Sequence, residues 1–411
     1  MPVDSPRFQS GVQEALALTR WYAREHVVLC LLPAFFIAGG IAAFVQQGSV
    51  MKYLGADANR FAAYGVASVS GTILAVCSCT VLPLFAGIFR MGAGLGPAIA
   101  FLYSGPAISA LAIVMSAKVL GIEMGLARGI SAIVLSVVIG ILMALLFRRD
   151  EAQRNIKQAQ IPSAEPARPL WQTALFFAAQ VAVLIFANWS DSNQAFFAAV
   201  YQWKWWIVAA AALGLAVMLA AWFGTSRTRL GMVGAAVVLG AIIWPNLPLI
   251  PFSIALAGLV WITAGTKGET GEWWRQTWTF TKQVLPLLLG GVFFAGLLLG
   301  RPGHEGWIPS DWVATAVGGD GLLPVVWASL AGALMYFATL TEIPIIEGLQ
   351  GAGMGAGASL ALLLAGPALS LPNMLVIRTV IGTRKTAVYI VLVILFSTIA
   401  GWLIGPLLHI Y

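Results

Sequence analysis

One Pro- and Gly-rich stretch constrains this chain more than anything else in it, because it occurs twice. Residues 77–107 contain Cys77-Ser78-Cys79-Thr80-Val81-Leu82-Pro83, then Gly87, Gly92, Gly94, Gly96 and Gly105-Pro106. A shift of 261 positions places Thr80, Pro83, Gly87, Gly92, Gly94 and Gly96 on Thr341, Pro344, Gly348, Gly353, Gly355 and Gly357. It also places Ala100, Leu102, Gly105, Pro106, Ala107 and Ser109 on Ala361, Leu363, Gly366, Pro367, Ala368 and Ser370, which makes 12 identities in 30 ungapped positions. Gly71 with Gly332 and Gly121 with Gly382 extend the match on either side. The pattern reads as an internal duplication whose twin centres are helices broken in the same place. In a membrane protein, paired interrupted apolar segments at corresponding positions mark a transport site.

Composition establishes the membrane. Of 411 residues, 60% are hydrophobic and 9% charged, with a mean hydropathy of +0.88. Apolar runs of about 17–25 residues recur from end to end, the length that crosses a bilayer as helix. The expected fold is therefore an all-α, polytopic membrane protein of roughly 10–12 transmembrane helices with two internal repeats. The expected spans are 27–46, 61–79, 93–117 and 125–147, then 171–189, 205–222, 230–245 and 247–264, then 283–299, 322–339, 354–378 and 385–408. Four segments follow: 1–147 as the first transmembrane repeat, 148–170 as a cytoplasmic linker, 171–264 as an inserted four-helix segment, and 265–411 as the second repeat. The linker holds Arg148, Arg149, Arg154, Lys157 and Arg168, as cytoplasmic loops do. On that placement Arg378, Arg384 and Lys385 face outward if every span crosses once, so segments 61–90 and 322–349 are candidates for a helix followed by a re-entrant half. Parallel and inverted repeats both remain open.

The net charge of +7 sits in loops and does not point to nucleic acid. Cys30, Cys77 and Cys79 lie in apolar stretches and form no disulfide framework. The first apolar run is too long for a cleaved signal and reads as a retained span. The chain is expected to be multi-pass in a membrane. Its expected partners are the lipid bilayer and a small-molecule substrate.

The candidate site follows from backbone chemistry. Proline lacks the N–H that a helix needs and displaces the residue before it from helical geometry, so Pro83 and Pro344 should open the backbone. Irregular backbone at membrane depth is tolerated where it lines a cavity. Thr80, Pro83, Thr341 and Pro344 are thus candidate substrate-binding residues, set against a bland reading in which Gly and Pro only allow close helix packing. Cys77 and Cys79 lie roughly 200° apart on a regular helix but on one side of an extended strand. In an unwound stretch they form a soft thiol pair, a possible ligand set for a metalloid such as trivalent arsenic or antimony. Buried cysteine is otherwise a small apolar residue, and Ala338 and Leu340 stand at the matching positions.

Glu342 and Glu347 replace Val81 and Ala86. Carboxylates in apolar spans face cavities and relay protons or bind cations, and burial moves a carboxyl toward pH values where it loads and releases protons. Both acids are candidate proton-coupling residues, unless they are solvated at an interface or one pairs with Arg90. No phosphate loop, cofactor motif or metal-ligand cluster is encoded, and no catalytic residues are expected.

Two motifs carry a resemblance. Cys-Ser-Cys-Thr-Val-Leu-Pro-Leu-Phe-Ala-Gly at 77–87 and Gly-Pro-Ala-Ile-Ala-Phe-Leu-Tyr-Ser-Gly-Pro-Ala at 96–107, with the echoes Thr-Glu-Ile-Pro and Leu-Leu-Ala-Gly-Pro-Ala-Leu-Ser, resemble a bacterial inner-membrane permease family of unknown function. That family includes the organoarsenical efflux permeases. The resemblance implies secondary transport, with efflux of trivalent organoarsenicals as one outcome and Cys77 and Cys79 at the family's cysteine motif. It does not fix the cargo, which can also be another thiophilic or sulfur compound. A membrane dithiol redox protein is the alternative from another class, although no nearby Lys or His lowers the thiol pKa. A channel or structural membrane protein is the third.

Overall fold

The computed structural model describes residues 6–44, 59, 62–68, 78–108, 110–159, 168–189, 195–299, 307, 310–319, 321–335, 342–351 and 353–408. The side chains of Cys79, Thr80 and Pro344 fall outside that description. The protein is an all-α polytopic membrane protein. Among the described residues the only β pairing is the bridge of Gly318 and Gly319 to Met354. Among the described residues, five helices are long and apolar enough to cross a membrane: Val27–Phe44, Ile122–Leu146, Ala198–Trp222, Glu269–Leu298 and Thr383–Leu407. Shorter apolar helices include Val81–Arg90, Leu322–Leu334, Ala356–Ala365 and Leu371–Ile381.

The chain forms two compact units. The first comprises Met1–Ala23, Val50–Pro162 and Val284–Tyr411. Its centre is two short helices, Leu95–Ala107 and Ala356–Ala365, in which every residue is buried. Helices this apolar all round belong in a core. Leu95–Ala107 packs on Ile122–Leu146, and Ala356–Ala365 packs on Leu322–Leu334 and Thr383–Ile404. Glycine makes the closest of these approaches possible. A Cβ on Gly140 would lie 2.7 Å from the Gly96 carbonyl oxygen, and a Cβ on Gly357 would lie 2.6 Å from that of Gly401.

Two expected spans are in fact broken helices. Residues 93–117 divide into Leu95–Ala107 and Ala110–Val119, and 354–378 into Ala356–Ala365 and Leu371–Ile381. Gly105-Pro106 and Gly366-Pro367 stand at the interruptions. Proline continues a helix poorly and lacks the donor a following turn requires, so each helix ends within a few residues of it.

A polar helix, Arg148–Ala159, is fastened to the first unit by charge. The Leu95 N–H donates to Glu151 Oε2 at 2.7 Å, which caps the buried helix with a side chain from elsewhere in the sequence. Arg154 donates to Glu151 at 3.0 Å and to the Ala93 carbonyl, and lies 3.9 Å from the centre of the Phe89 ring.

The second unit comprises Arg24–Ser49 and Ser163–Gln283. Helix Leu170–Ala187 packs on Ala195–Trp222 and on Leu32–Phe44, and Arg227–Ile243 packs on Leu249–Ala264. Phe36, Phe176, Met218, Leu219 and Trp273 form its core. The Trp273 indole N–H donates to the Phe36 carbonyl at 2.7 Å, which satisfies the polar end of a fully buried ring.

Candidate functional site

The two proline segments take helical form wherever they are described. Pro83 lies buried inside the continuous helix Ser78–Arg90. Pro344 is the third residue of Glu342–Gly351, where a first-turn proline forfeits no hydrogen bond. The expected opening at Pro83 is therefore reduced to one lost bond: the Cys79 carbonyl has no N–H four residues on. The sharp turns come later, at Gly92 (φ 102°) and Gly353 (φ 99°), which both hold the left-handed region that glycine enters freely. Cys77 and Thr341 lie outside the described residues, and for Cys79 and Thr80 only the helical backbone is described.

Glu342 and Glu347 part company. Glu347 is exposed. Glu342 is 1% exposed and forms an ion pair with Arg128, itself fully buried, with Nη2 and Oε1 2.5 Å apart. Arg128 also donates from Nη1 to Ser116 Oγ at 3.0 Å and from Nε to the Ala107 carbonyl at 3.3 Å. The fork geometry of guanidinium allows three partners at once. Glu342 thus pairs with an arginine of the span Ile122–Leu146, and the pairing with Arg90 weighed from the sequence gives way to it. Sequence reasoning missed Arg128. The signal was present, since Arg128 is the one charge between 125 and 147 and a charge inside a span implies a partner.

The short segments pack crosswise. Helix Ser78–Arg90 contacts Leu371–Ile381, while Glu342–Gly351 contacts Ala110–Val119. Contacts also recur at positions 261 apart. The Tyr103 hydroxyl donates to the carbonyl of Leu364, its own counterpart, at 3.2 Å. Ser68 and Ser136 are hydrogen-bonded at 3.1 Å, and Ser329, the counterpart of Ser68, accepts at 3.0 Å from Thr398, one residue past the counterpart of Ser136. Arg128 donates to the Ala107 carbonyl, and Tyr389 donates to that of Ala368 at 3.4 Å. At this last pair the residues differ while the acceptor position is kept: a cation stands on one side and a neutral phenol on the other.

Two further polar residues stand at the start of Leu371–Ile381, Ser370 just before it and Asn373 in its first turn. Ser370 has φ 108° and ψ 147°, a region that is nearly glycine-only and costs about 1–3 kcal/mol for other residues. It is 2% exposed, and its Oγ has no hydrogen-bond partner. Asn373, also 2% exposed, has an unpartnered Oδ1. Orphaned buried polar atoms are rare and call for a ligand or water. They stand where the chain enters the helix that contacts Ser78–Arg90.

A family model described as a predicted permease matches residues 12–406. The chain belongs to this family of predicted permeases. The permease is 39% identical over 390 residues to UPF0718 protein MJ0584 of Methanocaldococcus jannaschii, covering 94% of each chain. It is 33% identical over 111 residues to UPF0718 protein YraQ of Escherichia coli, covering 27% of the permease and 30% of that protein. No solved structure matches. Membership supports a multi-pass membrane transporter. The buried charge pair is thereby placed in a molecule whose task is to move something.

Proposed function

We propose that the permease is a secondary-active, proton-coupled exporter of trivalent organoarsenicals or related thiophilic small molecules. In this reading its pathway lies between the Cys77–Pro83 and Thr341–Glu347 segments of two internal repeats. The observation that carries coupling is the Arg128–Glu342 pair, which ties a full-length span to a short helix. A buried ion pair is stable only while both charges are present, and breaking one costs about 3–5 kcal/mol. Protonated Glu342 no longer neutralises Arg128, so the contact loosens; deprotonation restores it. An exporter built this way links inward proton release to outward cargo movement.

The recurrence of contacts at positions 261 apart supports the repeat reading. The unpartnered Ser370 and Asn373 supply polar contacts for the cargo, and the Cys77 and Cys79 thiols supply soft ligands. Glu347, exposed, serves as an entry point for the proton.

The test uses everted membrane vesicles from a deletion strain expressing the protein, given a trivalent organoarsenical under an imposed proton gradient. Wild type should accumulate it, and a protonophore or Glu342→Gln should stop accumulation. Cys77→Ser should stop it while leaving expression unchanged. Uptake that survives the protonophore and Glu342→Gln would remove coupling, and wild-type flux in Cys77→Ser would remove the thiol site.

A further inference from the structure

The second unit contains a cavity of about 750 Å³, within the ~300–1,000 Å³ range of small-molecule sites. Its wall includes Phe36, Trp205, Trp206, Leu219 and Trp273, and no charged residue lines it. The same wall contains one carboxamide, Gln180. Gln180 is 5% exposed, and neither its Nε2 nor its Oε1 has a hydrogen-bond partner. It sits ten residues into the helix Leu170–Ala187, about 15 Å from its start at 1.5 Å per residue. A buried amide left unpaired costs roughly 1–3 kcal/mol, and a residue selected only for packing there would be Leu or Met. Donor and acceptor both stand open beside a cavity of ligand size.

We infer that this cavity binds a neutral, mostly hydrocarbon amphiphile whose single head group both donates and accepts a hydrogen bond, as a hydroxyl does, with Gln180 as the head-group partner. An ionised head is excluded because no counter-charge lines the wall, and burying an unpaired charge is far costlier than burying a hydroxyl. A pure hydrocarbon is disfavoured because it leaves Gln180 as it stands. The hydroxyl donates to Oε1 and accepts from Nε2, so one small group answers both open valences. The aromatic wall suits a chain or ring system rather than a second polar end. The site owes nothing to the cysteine segments or to Glu342, so it stands whether or not arsenicals are the cargo.

A long-chain alcohol carrying a diazirine and an alkyne tag tests this on the purified full-length protein in nanodiscs. Photolabelling followed by peptide mapping should place the label within 205–259. Excess untagged long-chain alcohol should compete, while the matching alkane and carboxylate should not. Gln180→Leu should weaken labelling about five- to tenfold, the loss expected for one or two neutral hydrogen bonds. Should that variant fail to fold, Ala212→Trp fills the cavity from another helix and should abolish labelling. Label spread evenly over lipid-facing helices, or labelling unchanged in either folded variant, overturns the site. Equal competition by the alkane overturns the role of Gln180.

Discussion

Removing Arg128 is the sharpest test of the charge pair. Arg128→Leu leaves Glu342, 1% exposed, without its counter-charge. Breaking a buried pair by deleting one partner costs about 3–5 kcal/mol, whereas a hydrogen bond between transmembrane helices averages only about 0.6 kcal/mol. The two possibilities are well separated. The Ser116 hydroxyl and the Ala107 carbonyl lose the same donor in the single and double variants, so their cost cancels from a double-mutant cycle. Arg128→Leu with Glu342→Leu replaces the pair by hydrocarbon, a change that is often neutral or stabilising. The double variant should therefore recover most of what the single one loses, with a coupling energy of at least about 3 kcal/mol. Unfolding of the purified protein by sodium dodecyl sulfate in mixed micelles, followed by tryptophan fluorescence, reads each corner. A coupling energy under about 1 kcal/mol would show that water already solvates the carboxylate, and the two-state role given to the pair would go with it.

Three other outcomes follow from the packing. Gly357→Val should destabilise by about 1–3 kcal/mol through overpacking against Gly401, while Gly231→Ala, with open space around it, should be neutral or stabilising in the same unfolding assay. Ser370→Gly should raise the unfolding free energy by about 1 kcal/mol as the strain is relieved, yet lower transport if the hydroxyl contacts cargo; a lowered unfolding free energy would refute the strain. Glu151→Ala removes the acceptor of the Leu95 N–H and should cost about 1–3 kcal/mol, with faster hydrogen exchange at Leu95 and its neighbours as the local signature.

Much of this architecture was legible because its cause is local. The apolar runs 93–117 and 354–378 located the two fully buried helices, Leu95–Ala107 and Ala356–Ala365, but each was expected to continue as one span through the Gly-Pro near which the helix ends. The glycines at 92 and 353 stood out only as members of the repeated motif, and the structure places both in the backbone region that glycine alone occupies at no cost. Pro83 misled for the opposite reason. Its missing donor predicts an opening, but the helix Ser78–Arg90 continues through it, with Leu82, Leu84 and Phe85 buried beside it in the chain. Arg128 and Glu342 are 214 residues apart, and no local rule joins them. The sequence announced only that each needed a partner. Gln180 and Asn373 were invisible for a related reason: a polar residue in an apolar span is commonplace until the fold shows that nothing answers it.

The backbone-to-backbone seams at Gly96–Gly140 and Gly357–Gly401 carry a mechanical consequence. Two helices touching through bare glycine cannot slip by one residue without driving a side chain into the partner's carbonyl. Each pair is welded in register and must travel as one piece. Bending is thereby excluded from the seams and left to other parts of the chain, among them the left-handed glycines 92 and 353 that stand just before them.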